Sequence, residues 1–382
     1  MRRKRLQELD LLRTVAIIMV VLVHAITRVM EVHHTNGGIS QGLESAFLIL
    51  RLIATFGTPI FVFLSEFLLS YSYDELPKDF FKKRIRYIFM PYLSMGILYA
   101  FVMTYEGGGV IAGGGSTVFI TNLLRNLLFG FYRHGYFIVL IFQFYLLHYF
   151  FHNKLKNMKI KPLLLGSLGI NVAYLLFFHG IDHIGIPFEE ELVIAFTWGA
   201  APAWIFYFAA GYVLGKNKEA FHRYLIGIDQ KIFPLVILTG GVLVTMNFSG
   251  LLTINSSKRF DMIFFTSAMF LLLYRYARKN TYSKKITGFI SRYSFGIYLL
   301  HMLFLFIITE YLIALKLQLH PVITLFLLSL GSGVLSVLAT NFISRFTWGT
   351  YVVGRLEVKH RPVVVNSKER DSLRERSYLA EH

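Results

Sequence analysis

Leu11-Leu12-Arg13-Thr14-Val15-Ala16-Ile17-Ile18-Met19-Val20-Val21-Leu22-Val23-His24-Ala25-Ile26-Thr27-Arg28-Val29-Met30 is the stretch that decides the fold. As a helix these residues rise ~30 Å, the thickness of a bilayer's hydrocarbon core. Arg13 and His24 interrupt the apolar run. At ~100° per residue their spacing returns to within roughly 20° of one face, ~16 Å further along the axis. Ionisable groups at such depth cost on the order of a few kcal/mol, so they face a bundle interior or a wet cavity. The run therefore predicts a membrane helix with a polar stripe, and the stripe points to a site.

Composition extends that reading to the whole chain. Of 382 residues, 55% are hydrophobic and 16% charged, and the mean hydropathy is +0.55. This is the balance of a multi-pass protein of the cell membrane, with the lipid bilayer as its main partner. Cysteine is absent, which excludes disulfides, thiol nucleophiles and thiolate metal sites. The basic start Arg2-Arg3-Lys4-Arg5, followed by about 20 apolar residues without a small-x-small cleavage pattern, reads as a retained signal anchor.

Ten spans are expected, at 11–30, 46–71, 87–105, 135–151, 162–179, 192–214, 232–248, 260–277, 293–314 and 321–343. The shorter segment 118–131 reads as an interfacial or re-entrant helix. Alternate loops carry Lys82, Lys83, Arg84 and Arg86, then Lys154 to Lys161, Lys216 to Lys231 and Arg275 to Arg292, whereas the opposite loops are poor in lysine and arginine. Both termini are thus expected in the cytoplasm. The same topology explains a formal net charge of +17, so no nucleic-acid partner is required. The fold class is an all-α polytopic bundle of about ten helices, with residues 1–345 as a membrane domain and 346–382 as a basic, mobile cytoplasmic tail.

A neutral imidazole can take a proton from an alcohol, which suits His24 to general-base attack on an acyl group. It could equally hydrogen-bond a neighbouring span, and Arg13 could snorkel to the headgroups. Glu66 follows Pro59 in the second span, at a depth comparable with Arg13, which makes an Arg13–Glu66 pair reasonable. Arg84 and Arg86 at the cytoplasmic mouth suit the phosphates of a nucleotide-like donor, although basic residues mark any inner interface. His301 is expected about nine residues into the ninth span, deeper toward the cytoplasm than His24. Gln143 could line the same cavity. Gly107-Gly108-Gly109 and Gly113-Gly114-Gly115 have no preceding strand and are not phosphate loops. No metal site is read, because His179, Asp182 and His183 lack a fourth ligand at fixed spacing.

Glu8-Leu9-Asp10-Leu11-Leu12-Arg13 followed by His24, Phe61 to Leu68, the basic cluster ending in Pro91-Tyr92 and Ser294 to His301 together resemble the integral-membrane acyltransferase 3 family. Departures are Leu11 and Thr14 around the arginine, Glu66 in the second span and the spacing of Arg84 and Arg86. The resemblance implies transfer of an acetyl or succinyl group from acyl-coenzyme A, a co-substrate and not a permanently bound cofactor, to a hydroxyl of a cell-envelope carbohydrate. It implies that Arg13, Arg84 and Arg86 hold the donor and that His24 carries the acyl chemistry. A polysaccharide exporter or proton-coupled transporter is the alternative for a bundle with a broken helix and buried charges.

Overall fold

The computed structural model describes residues 6–107, 115–132, 134–180, 196, 199–252, 256–279 and 284–356. Among these residues the regular structure is helical, with no strand. The helices are α1 (Glu8–Asn36), α2 (Gln41–Ala54), α3 (Gly57–Ser72), α4 (Phe80–Arg84), α5 (Met90–Glu106), α6 (Gly115–Phe129), α7 (Tyr136–Asn157), α8 (Ile160–Gly180), α9 (Ile205–Lys216), α10 (Lys218–Gly227), α11 (Asp229–Phe248), α12 (Phe260–Lys279), α13 (Lys284–Ala314) and α14 (Pro321–Ile343). Eight helical stretches among the described residues are long and apolar enough to cross a membrane, counting α2 with α3 and α4 with α5. The fourth and sixth expected spans are not among them. They fall on α7, 22 residues interrupted by Gln143, His148 and His152, and on α9, 12 residues preceded by a 3-10 turn at Ala201–Trp204.

Two breaks have identifiable causes. The α2–α3 chain breaks at Thr55 and Phe56, because Pro59 has no backbone N–H to donate to the Thr55 carbonyl and carry the helix through. Gly57 then lies so close to α1 that an added Cβ would sit 2.7 Å from the Ala16 carbonyl oxygen. Ahead of Pro91 the helix widens into a π-turn at Ile85–Phe89, the usual accommodation where the regular ladder is interrupted.

Close packing relies on small residues. Gly211 and Gly215 form a small-xxx-small face on α9, where added Cβ atoms would lie 2.6 Å from the Phe63 carbonyl and 2.2 Å from Ser70 Oγ of α3. Gly296 of α13 similarly abuts Thr340 of α14, whose Thr324, Ser332, Ser336 and Thr340 form a buried stripe. Helices α8, α11 and α14 expose Leu165, Leu238 and Phe326 on their outer faces, as a lipid-facing perimeter does.

Helices α1 and α13 run parallel. Thr14 Oγ1 donates to the Thr287 carbonyl, and ten residues further along α1 His24 meets His301. Residues 346–356 do not form a free tail: Ser94 Oγ donates to the Tyr351 carbonyl at 2.9 Å, Val353 is buried, and Gly354 (φ +75°) packs on Phe295. Residues 357–382 lie outside the described residues.

Candidate functional site

Three imidazoles converge in the core around α1, α5 and α13. The ring centroid of His24 lies 5.3 Å from that of His301 and 6.3 Å from that of His134, and His134 lies 5.0 Å from His301. His301 and His134 are almost wholly buried, and His24 is half-buried. His301 was expected nearer the cytoplasm than His24; the structure places them level. The reason is the start of α13 at Lys284, nine residues before the expected span: His301 is 17 residues into its helix and His24 is 16 into α1.

His301 Nδ1 lies 3.0 Å from the Ile297 carbonyl and 2.9 Å from that of Tyr298, so Nδ1 carries the hydrogen and donates. In the neutral ring Nε2 is then a lone-pair acceptor. Among the described residues it has no hydrogen-bond partner. An unsatisfied imidazole nitrogen at such burial calls for a ligand or a proton-transfer role.

His134 reaches the cluster on non-helical backbone between α6 and α7. Such backbone is tolerated at membrane depth only where protein buries it or a cavity adjoins it. Asn126 holds it: Nδ2 donates to the Gly96 carbonyl at 3.0 Å, and Oδ1 accepts from the Tyr132 N–H at 3.2 Å. Gly130 has φ +102°, and Tyr132 adopts φ +49°, a left-handed conformation uncommon outside glycine. Tyr298 Oη donates to the His134 carbonyl. Tyr99 stacks on Phe131 and Tyr132, meets His134 edge-on at 5.3 Å, and donates its hydroxyl to the Leu299 carbonyl at 2.8 Å.

One turn beyond His24 on α1, Arg28 is fully buried. It donates to Glu106 at 2.8 Å, to Glu31 at 2.7 Å and to the Tyr132 hydroxyl, which itself donates to Glu106 at 2.6 Å. Phe306 of α13 covers the guanidinium at 5.8 Å.

At the other end of α1, Arg13 is half-buried. Arg84 stacks over Phe80 at 5.0 Å and over Tyr145 of α7 at 4.8 Å, while the exposed Arg86 lies over Tyr87 and Tyr351. The two arginines therefore have different neighbours. The expected pairing of Glu66 with Arg13 is replaced: Glu66 Oε1 is 2.5 Å from His148 Nδ1, a partner on α7 that no spacing in the sequence singles out. Gln143 brackets the turn before α9, donating to the Gly199 carbonyl at 2.5 Å and accepting from the Ala201 N–H at 2.9 Å. His134 was missed because a single histidine before Gly135 has no periodic signal. Arg28 was also missed as a site residue, although its place one turn after His24 is the signal that could have found it.

A family profile described as an acyltransferase domain matches residues 6–341. The chain is similar to the Bacillus subtilis (strain 168) protein named "Putative membrane-bound acyltransferase YfiQ", with 32% identity over 96% of this chain and 99% of that one. It is also similar to the "Probable poly-beta-1,6-N-acetyl-D-glucosamine export protein" of Staphylococcus aureus (strain MRSA252), with 28% identity over 91% of this chain and 97% of that one. The protein of the same name from Staphylococcus epidermidis is 28% identical over 79% of this chain and 82% of its own length. No solved structure matches.

Proposed function

The chain belongs to this acyltransferase family and is a multi-pass membrane enzyme, and within that frame we propose that it moves an acetyl or succinyl group from cytoplasmic acyl-coenzyme A to a hydroxyl of a cell-envelope carbohydrate. The observation that carries the proposal is the convergence of His24, His134 and His301 in the bundle core. The basic residues at the start of α1 and along α4 sit at the expected cytoplasmic end, where Arg13, Arg84 and Arg86 would bind the donor's phosphates.

His24 takes the proton as the acceptor oxygen attacks the thioester carbonyl. The tetrahedral intermediate collapses with cleavage of the C–S bond, and the proton passes from His24 to the departing thiolate, so the reaction is proton-neutral. His301 Nε2 offers a second lone pair beside His24, able to accept from a neighbouring hydroxyl of the acceptor and so orient the attacking oxygen. The carbohydrate acceptor is supported by the staphylococcal relatives, whose name concerns a polysaccharide.

The test is acyl transfer in membranes carrying His24→Ala. Loss of turnover by a factor of ~100 or more at equal expression is expected, the scale of a lost general base; wild-type turnover would sink the proposal. The second reading, polysaccharide export, is favoured by the printed name of the same relatives. It requires polysaccharide flux in His24→Ala membranes that no longer turn over acyl donor.

A further inference from the structure

The cluster one turn beyond the histidines is built from the same elements that carry them. Arg28 follows His24 on α1, Phe306 follows His301 on α13, Tyr132 precedes His134 in the loop, and Glu106 ends α5, the helix of Tyr99. Tyr99 bridges the two levels by touching both His134 and Tyr132.

This arginine differs from a structural one elsewhere in the molecule. Arg259 is buried with a buried carboxylate, Asp261, and also donates to Asn247 and to the carbonyls of Leu243 and Leu252. Arg28 is 2% exposed, yet its carboxylates are open, Glu106 at 27% and Glu31 at 40%. Its Nε–H has no hydrogen-bond partner. Tyr132, which completes the ring, is held in the left-handed region of backbone space. A buried donor left unmatched beside accessible carboxylates is a binding arrangement.

We infer that Arg28, Glu31, Glu106 and Tyr132 form the acceptor subsite, selective for an uncharged or amino-bearing sugar over an acidic one. One guanidinium between two carboxylates leaves a single negative charge at neutral pH. The carboxylates accept sugar hydroxyl or ammonium hydrogens, the part-exposed Tyr132 ring packs on the C–H face of a pyranose, and a uronic acid meets like charge. The inference rests on the acyl-transfer reading and names its acceptor class.

The test is calorimetric binding to the full chain in nanodiscs, using a β-1,6-linked N-acetylglucosamine tetramer and a tetramer of a uronic acid. The amino-sugar oligomer is expected to bind and the uronic acid to bind at least tenfold more weakly. Glu106→Gln and the more exposed Glu31→Gln should each weaken the first by about tenfold and narrow the gap between the two. Monodispersity and an unchanged unfolding temperature separate this from misfolding, and Glu31→Gln serves if Glu106→Gln fails that check. Equal binding of the two oligomers, no binding of the amino-sugar oligomer, or no response to either folded variant overturns the inference. Persisting turnover in His24→Ala alongside selective binding would instead remove the catalytic reading and leave the subsite standing.

Discussion

His148→Leu tests a fully buried polar pair of the bundle. Glu66 is 1% exposed and His148 fully buried, and Glu66 Oε1 lies 2.5 Å from His148 Nδ1. His152 Nε2 donates to the Asp74 carbonyl at 2.8 Å, so in a neutral His152 the Nδ1 atom is an acceptor, and His148 Nε2–H donates to it at 3.3 Å. One proton therefore lies between Glu66 and His148, and the dyad carries no net charge. Removing the imidazole leaves a buried carboxyl with no other hydrogen-bonding side chain among the described residues, a loss of about 3–5 kcal/mol. Glu66→Gln keeps an N–H to donate to Nδ1 and should cost only about 1 kcal/mol. Glu66→Leu with His148→Leu replaces both partners by apolar groups, and the double variant should be at least ~2 kcal/mol more stable than the sum of the single losses. Reversible unfolding in mixed micelles measures all four. Additive losses, or His148→Leu within ~1 kcal/mol of wild type, would refute the shared-proton account.

Other substitutions probe packing and the histidine cluster. Gly215→Leu should destabilise the bundle by more than ~3 kcal/mol or prevent folding, since even a Cβ there would overlap the Phe67 carbonyl oxygen at 2.3 Å; solubilised yield and unfolding report it. His301→Phe should lower kcat ~10-fold or more with donor affinity unchanged, because it removes Nε2 beside His24 and leaves the Arg13 end untouched; steady-state kinetics with donor binding separates the two. Tyr298→Phe removes the bond that holds the His134 carbonyl, and acyl turnover should fall while the fold is retained.

The sequence made the core of the fold legible where one chemical signal was dense. The long apolar runs of α1, α13 and α14 and the kinking role of Pro59 were readable because lipid exposure demands them. Spans four and six were harder, since α7 uses Gln143, His148 and His152 for internal bonds, which dilutes the hydropathy that marks a helix. The depth of His301 was misjudged because Arg292 looked like the end of a loop. In the structure the helix has already run eight residues by then, from Lys284. Glu66 was matched to Arg13 by their comparable depth, whereas burial selected an imidazole from another helix. His134 needed the third dimension altogether: its position depends on Asn126, Gly130 and Gly135, none of which advertises a site.

The parallel run of α1 and α13 also makes the donor's reach testable. Arg13 and the imidazole cluster are separated by ~16 Å along α1, so in the proposed reaction the donor's phosphates and its thioester would occupy different ends of one path. Binding energy from the remote phosphates contributes equally to the ground and transition states, and it should therefore appear in KM. Arg84→Ala removes a cation stacked on Phe80 and Tyr145. It should raise KM for acyl-coenzyme A several-fold with kcat held. Acyl-pantetheine, which lacks the nucleotide, should have a high KM in the wild type and show no further change in the variant. A variant that slows both donors alike would mean that Arg84 supports the fold of α4 against α7 and does not touch the donor. The donor-binding role would then fall to Arg13 and Arg86.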